Sequence, residues 1–146
     1  MSNPYPILMA AESSWRGHGL PSHADITFHP TRAELLAAVT PGRGEAPAGA
    51  LVVLPVTHEP GVAVGDLPGL VRDLRAVNSG ALPVLLHDGC DDDALTSGFR
   101  AGLFDAVRIG DDAAWTKMAA RAAERLRVFS ETASLGLQQR EATHRP

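Results

Sequence analysis

Ala81-Leu-Pro-Val-Leu-Leu-His-Asp-Gly89, Cys90-Asp-Asp-Asp-Ala-Leu-Thr-Ser-Gly-Phe-Arg-Ala-Gly102 and Leu103-Phe-Asp-Ala-Val-Arg-Ile-Gly110 follow one another without a break. Leu82–Leu86 is short and apolar at every position. It therefore reads as a strand covered on both faces, as in a parallel sheet, rather than as a half-exposed one. The acids Asp91–Asp93 suit the positive end of a following helix, which they can cap. Leu95 and Phe99, four apart, share a helical face. Gly102 stands where a helix needs a left-handed backbone to stop it. Phe104–Ile109 is then the next strand, and the whole stretch is one αβ step of an α/β sheet.

The rest of the chain extends the same pattern. Tyr5–Ala11 is a candidate first strand, continuous and apolar from Ile7 to Ala11. In the segment Glu12–His23, Gly17, Gly19 and Pro21 leave room for a turn or two of helix at most. Ala24–His29 is a short strand closed by Pro30. Thr31–Val39 is a helix, with Thr31 as cap, Glu34 three residues on, and Leu35, Leu36 and Val39 as its apolar stripe. Thr40–Gly49 is a Gly/Pro loop. Ala50–Val56 is the strongest strand. Thr57–Asp66 is a second Pro/Gly loop. Leu67–Asn78 is amphipathic, with Leu67, Leu70, Val71, Leu74 and Val77 at helical spacing, and Ser79-Gly80 ends it. A last helix starts near Asp111-Asp112, buries Trp115, Met118, Ala119, Ala122 and Leu126, and runs on at least to Leu135. Gly136 is its first weak point. With right-handed crossovers this order gives a five-stranded parallel sheet, 2-1-3-4-5.

Composition narrows the function classes. At 146 residues, 45% hydrophobic and 21% charged, the chain suits one soluble domain with one core. A net charge of -4 argues against bulk binding of nucleic acid. The lone Cys90 can form neither an internal disulfide nor a thiolate metal cluster, which fits a cytoplasmic setting. No apolar run approaches the roughly 20 residues of a membrane span. The start, Met1-Ser-Asn-Pro-Tyr-Pro6, lacks the basic and apolar regions of a signal peptide.

Pro83-Val-Leu-Leu-His-Asp-Gly89 and Phe99-Arg-Ala-Gly-Leu-Phe-Asp-Ala-Val107 resemble the second half of response-regulator receiver domains. There a "P-V-I-x-L-(T/S)-A" strand precedes a helix ending in "A-G-A-x-D-(Y/F)-(L/I)". The resemblance covers Tyr5–Leu126 and implies a flavodoxin-like receiver fold with a stunted or missing first helix and an extended last one. Residues 127–146 are then a helical extension or linker tail. Active receivers accept a phosphoryl group on an aspartate after the third strand. An acidic pair after the first strand holds Mg²⁺, and a Thr/Ser and a Lys after the fourth and fifth strands bind the phosphoryl oxygens. Here the acidic pair falls on Ala11 and Glu12, the acceptor on Pro55, the Thr/Ser on Asp88 and the Lys on Ile109. Proline has no nucleophile, Asp88 repels a phosphoryl group, and the adjacent Arg108 should point to the other face. The resemblance is thus to a degenerate, pseudo-receiver member.

Other candidates read as ordinary structure. Asp91–Asp93 with Asp88 and Glu12 is better explained by helix capping than by a divalent-metal site. His29, His58 and His87 lack ligand spacing for zinc. Ser13 or Ser14 with His18 lacks a nucleophile elbow. Gly61–Gly65 lacks the strand-to-helix setting of a phosphate loop. The acidic neighbours of Cys90 raise its pKa. The expectation is a non-enzymatic regulatory domain without cofactor or metal. It acts by dimerisation or by contact with a signalling partner or output module, at the N-terminal part of a larger bacterial signalling protein. Candidate contact residues are Trp15, Trp115, Met118, Val128, Phe129 and Leu135. With the first helix stunted, a sheet face carrying Ile7, Met9 and Leu51 or Val53 is expected to be thinly covered. The alternative is a nucleotide, metal or other small-molecule sensor using the loops Glu12–His18, Thr57–Gly65 and Asp88–Asp91. A flavodoxin-like enzyme is a third option without a catalytic constellation.

Overall fold

The computed structural model describes residues 5–11, 13, 26–42, 49–56, 67–89 and 92–143, without side chains from 133 onward. There are five strands, β1 (Ile7–Met9), β2 (Ile26–Phe28), β3 (Ala50–Val56), β4 (Ala81–His87) and β5 (Asp105–Arg108), and from β2 onward each is followed by one of four helices. These are α1 (Arg32–Val39), α2 (Leu67–Val77), α3 (Asp92–Ala101) and α4 (Asp112–Thr143). Every strand pair is parallel, and the sheet order is β2-β1-β3-β4-β5. The expected topology is the observed one. β1 is shorter than its apolar run, because its ladders with β2 and β3 each cover only Ile7–Met9. The segment where a first helix was expected to be stunted lies outside the described residues.

Alternation along the strands builds a core on each face of the sheet. On one face Leu8, Val52, Leu54 and Leu85 pack against Leu35 and Val39 of α1 and Leu70, Val71 and Leu74 of α2. On the other, Ile7, Met9, Leu51, Val53, Val84 and Val107 pack against Trp115, Met118, Ala122 and Leu126 of α4. The local stop and start signals work as the sequence indicates. The Glu34 amide donates to Thr31 Oγ1 at 3.1 Å, and the Ala114 amide to Asp111 Oδ1 at 3.0 Å. Gly102 takes a φ of +123°, and the amides of Gly102 and Leu103 both return to the Gly98 carbonyl.

Two prolines sit inside strands, where a missing N–H normally breaks a ladder. Phe104 N donates to the Pro83 carbonyl at 2.7 Å, so Pro83 faces the β5 side, but the β5 ladder begins only at Val84. Leu51 N donates to the Pro6 carbonyl and Ala10 N to the Val53 carbonyl, so alternate residues of β3 face β1. Pro55 is next in that series, past Val53, the last residue paired with β1. Neither proline deprives the sheet of a bond.

The structure corrects three expectations. Ile7, Met9, Leu51 and Val53 are all buried, so these positions expose no bare sheet face. Besides α4, the half-buried rings of Tyr5 and Phe28 pack against this cluster, and the Tyr5 hydroxyl donates to the Ala119 carbonyl at 3.2 Å. Trp115 and Met118, candidate contact residues, are 6% and 0% exposed and belong to the core, because they sit on the helix stripe turned to the sheet. Finally, α4 passes through Gly136 as unbroken helix to Thr143.

The packing of α4 on the domain also runs a turn beyond Leu126. A Cβ placed on Gly80 would lie 2.5 Å from Cε1 and 2.8 Å from Cζ of Phe129, so that ring lies directly on the turn before β4. Gly80→Ala is expected to destabilise the domain by about 1–3 kcal/mol through overpacking. Urea unfolding measures this, and adding Phe129→Ala to the same chain should recover part of the loss.

Candidate functional site

In a parallel sheet all strands end at one edge, and that edge is where α/β folds of this kind bind ligands. Here Ala11 follows β1, Pro55 is the penultimate residue of β3, and Asp88 and Ile109 follow β4 and β5. β1, β3, β4 and β5 are successive neighbours in the sheet, so these four residues line one edge. Backbone bonds hold them in place: Ala11 N to the Met9 carbonyl, and Ile109 N to the His87 carbonyl at 2.7 Å.

Their side chains share a face as well as an edge. Ala11 is 2% exposed and belongs to the α4-side cluster, and Ile109 packs half-buried against it. Pro55 is buried, and alternation from Leu51 and Val53 puts it on the same face. The positions that the receiver resemblance gives to an acid, the phosphoacceptor and the lysine are therefore three apolar side chains on one face of the sheet. Asp88 is exposed at the rim. Glu12 lies outside the described residues.

The basic residue next to this set does not enter it. Val107 packs on the α4 side and Ala106 on the other, so alternation turns Arg108 away with Ala106. There it stands opposite His87 in the β4–β5 register. Burial and the positive charge of Arg108 push the His87 imidazole below its ordinary pKa, and Asp88 pulls the other way. The Gly89 amide donates to His87 Nδ1 at 3.2 Å, a bond that requires that nitrogen unprotonated.

The remaining candidates do not converge. His29 hydrogen-bonds Thr27 Oγ1, and His58, Cys90, Asp91, Ser14, His18 and Gly61–Gly65 lie outside the described residues. Among the described residues no group of three or more His, Cys, Asp or Glu side chains is placed to hold a metal ion. Asp92 and Asp93 occupy the first turn of α3, where acids stabilise a helix end. No described helix is long and apolar enough to cross a membrane. Of the contact candidates, Val128 is exposed and Phe129 half-buried over Gly80. Trp15 and the Leu135 side chain lie outside the described set.

Two features escaped the sequence reading. Asn78 is a buried junction: its Nδ2 donates to the Val39 carbonyl and its Oδ1 accepts from the Gly80 amide, each at 2.9 Å. The helix-ending Asn-Ser-Gly was a signal for the turn, but nothing local pointed to the α1 carbonyl. The second is a groove beside α4 flanked by arginines, assembled from segments distant in the chain.

No model of a known protein family matches the sequence, and no curated protein matches it. Solved structures do. A pilus assembly-related protein of Burkholderia pseudomallei superposes with a TM-score of 0.60 at 16% identity, over 83% of this chain and 90% of its own. An adenylate cyclase structure from Rhodopirellula baltica gives 0.59 at 14% identity, over 91% and 96% of the two chains. A response regulator of Thermotoga maritima gives 0.55 at 16% identity, over 80% and 98%. With the sheet order, these likenesses show that the chain has the flavodoxin-like fold of response-regulator receivers.

Proposed function

We propose that this chain is a receiver-like regulatory domain that takes no phosphoryl group, catalyses no reaction and acts through protein–protein contact in bacterial signalling. One observation carries the reading: Ala11, Pro55 and Ile109 stand at the strand-end edge where phosphoryl transfer needs an acid, a carboxylate nucleophile and a lysine. Phosphoryl transfer works by positioning and by neutralising charge on the transferring oxygens. A proline offers no nucleophile, and apolar walls offer neither hard oxygen ligands for Mg²⁺ nor a cation for the phosphoryl group. Beside the exposed carboxylate of Asp88, Ala11, Pro55 and Ile109 supply neither a second acid nor a lysine. The sheet tolerates the proline because Pro55 lies buried just beyond the β1 ladder, where no N–H is required of it.

The long α4 is the element through which such a domain acts. Its last described packing contact on the domain is Phe129 over Gly80, yet it continues to Thr143. Arg127 bridges Glu124 and Glu131, each at 2.6 Å, and reinforces the helix where it departs. An isolated helical segment of this length is marginal in water, so a second helix alongside it is the natural source of further stability. We assign that role to a second copy of the chain, in a cytoplasmic homodimer that relays its state to an output module. Sedimentation equilibrium of residues 1–146, beside a chain ending at Thr132, tests this with and without Mg²⁺ and beryllofluoride, a phosphoryl mimic. The full chain is expected to be a dimer and the shorter one a monomer, and the mimic is expected to change neither. Association that depends on the mimic, or a full chain that stays monomeric, would overturn the reading.

A further inference from the structure

We propose that the groove between the C-terminal end of α2, the Gly102–Phe104 turn and the outer face of α4 is a docking site for an acidic peptide segment of a partner protein, anchored by an apolar side chain. The groove has a volume of about 540 Å³, within the range of roughly 300–1,000 Å³ of sites that enclose small ligands. Leu82 and Phe104 contribute apolar lining, and Val128, 44% exposed, forms an apolar rim. Three arginines, Arg75, Arg121 and Arg125, line the same space.

Among the described residues these charges are matched only in part. Arg121 pairs with Asp105. Among the described residues Arg75 and Arg125 make no ion pair. Glu124 is the one carboxylate in the lining, and it is engaged at 2.6 Å by Arg127. The guanidinium carbons of Arg121 and Arg125 stand 5.8 and 5.9 Å from the centroid of the Phe104 ring, which steadies both cations without neutralising them. This is a local reversal of sign in a chain of net charge -4. Carboxylates on either side of an aliphatic residue satisfy both halves of such a wall, the cations by charge-assisted hydrogen bonds and the apolar floor by burial. An inorganic anion would leave the floor unfilled. Two unmatched cations also fall short of the row of phosphate contacts that nucleic acid requires.

The groove meets β4 at Leu82, near its start, whereas Ala11, Pro55, Asp88 and Ile109 lie at the opposite edge of the sheet. The inference therefore rests on the protein-contact half of the proposed function and is independent of its phosphoryl half. The test is an amide NMR titration of the full chain with the blocked peptide Glu-Asp-Leu-Glu-Asp-Leu, with its neutral isostere Gln-Asn-Leu-Gln-Asn-Leu, and with inorganic phosphate. The acidic peptide is expected to shift residues around Arg75, Leu82, Phe104 and Val128. The double variant Arg75→Gln/Arg125→Gln, whose exposed side chains leave the rest of the spectrum in place, should weaken binding roughly five- to tenfold. Equal shifts from the neutral peptide, equal binding by the double variant, or the same pattern at the same concentration from phosphate alone would each overturn the proposal. Loss of peptide binding with the dimer intact would remove this site and leave the proposed function standing.

Discussion

Trp115→Ala is expected to destabilise the domain by about 3–5 kcal/mol, the usual cost of deleting a large buried ring. Trp115 is 6% exposed and lies in the first turns of α4, over the face of the sheet that also buries Met9, Val53 and Met118. Removing the indole leaves a cavity that a sheet paired on both sides of β3 cannot collapse to fill. For a domain whose total stability is of order 5–15 kcal/mol, that is a large fraction. Urea unfolding at concentrations below dimerisation measures it. A surface anchor would behave differently: association would weaken while the monomer kept its unfolding midpoint. A result of that second kind would mean that α4 does not lie on the sheet as described.

Asn78→Ala is expected to cost about 2–4 kcal/mol despite removing only a small side chain. Asn78 is 3% exposed, and both ends of its amide are used. Alanine would leave the Val39 carbonyl and the Gly80 amide without their side-chain partner, and each unsatisfied buried group costs about 1–3 kcal/mol. The same residue accepts from Ala81 N through its carbonyl and donates its own amide to Leu74 O. It thus joins the end of α1, the end of α2 and the start of β4. Asn78→Asp distinguishes the two bonds. It keeps the acceptor for Gly80 but loses the donor to Val39, and it brings a charge into a buried site, so it should be at least as damaging as alanine. Unfolding midpoints of the two variants, measured side by side, check that order.

The parts of this fold that were legible in the sequence are those that depend on neighbours along the chain. Thr31, Asp111 and Gly102 announce helix ends by their own chemistry, and the uniformly apolar runs Leu51–Leu54 and Leu82–Leu86 announce strands covered on both faces. Parallel order followed from their alternation with helices. What depends on distant residues was not legible. The extent of β1 is set by the ladder it shares with β2 and β3, not by its apolar run. The burial of Ile7 and Met9 depends on a cluster that includes Tyr5, Phe28 and α4, segments that no local pattern links. Phe129 looked like a free surface residue because its seat is Gly80, nearly fifty positions away.

The strand-end site divides in the same way. That Ala11, Pro55 and Ile109 matter at all came from the receiver resemblance, since an alanine, a proline and an isoleucine carry no chemical signal of their own. The structure adds that they share one face and that Arg108 is turned to the other, so the basic residue beside Ile109 does not replace the lysine. The arginine groove had no sequence signature, because Arg75 and Arg125 come to line one groove only once α2 and α4 are packed on the two faces of the sheet.

The central claim is chemical and has a direct test. The intact mass of the full chain is measured after incubation with Mg²⁺ and acetyl phosphate, beside an active receiver treated in the same way. Labelling of the control and no phosphoryl gain on this chain are expected. Stoichiometric, hydroxylamine-labile labelling of this chain would contradict it, because it would mean that a carboxylate other than the missing one at Pro55 serves as acceptor and that the domain switches by phosphorylation after all.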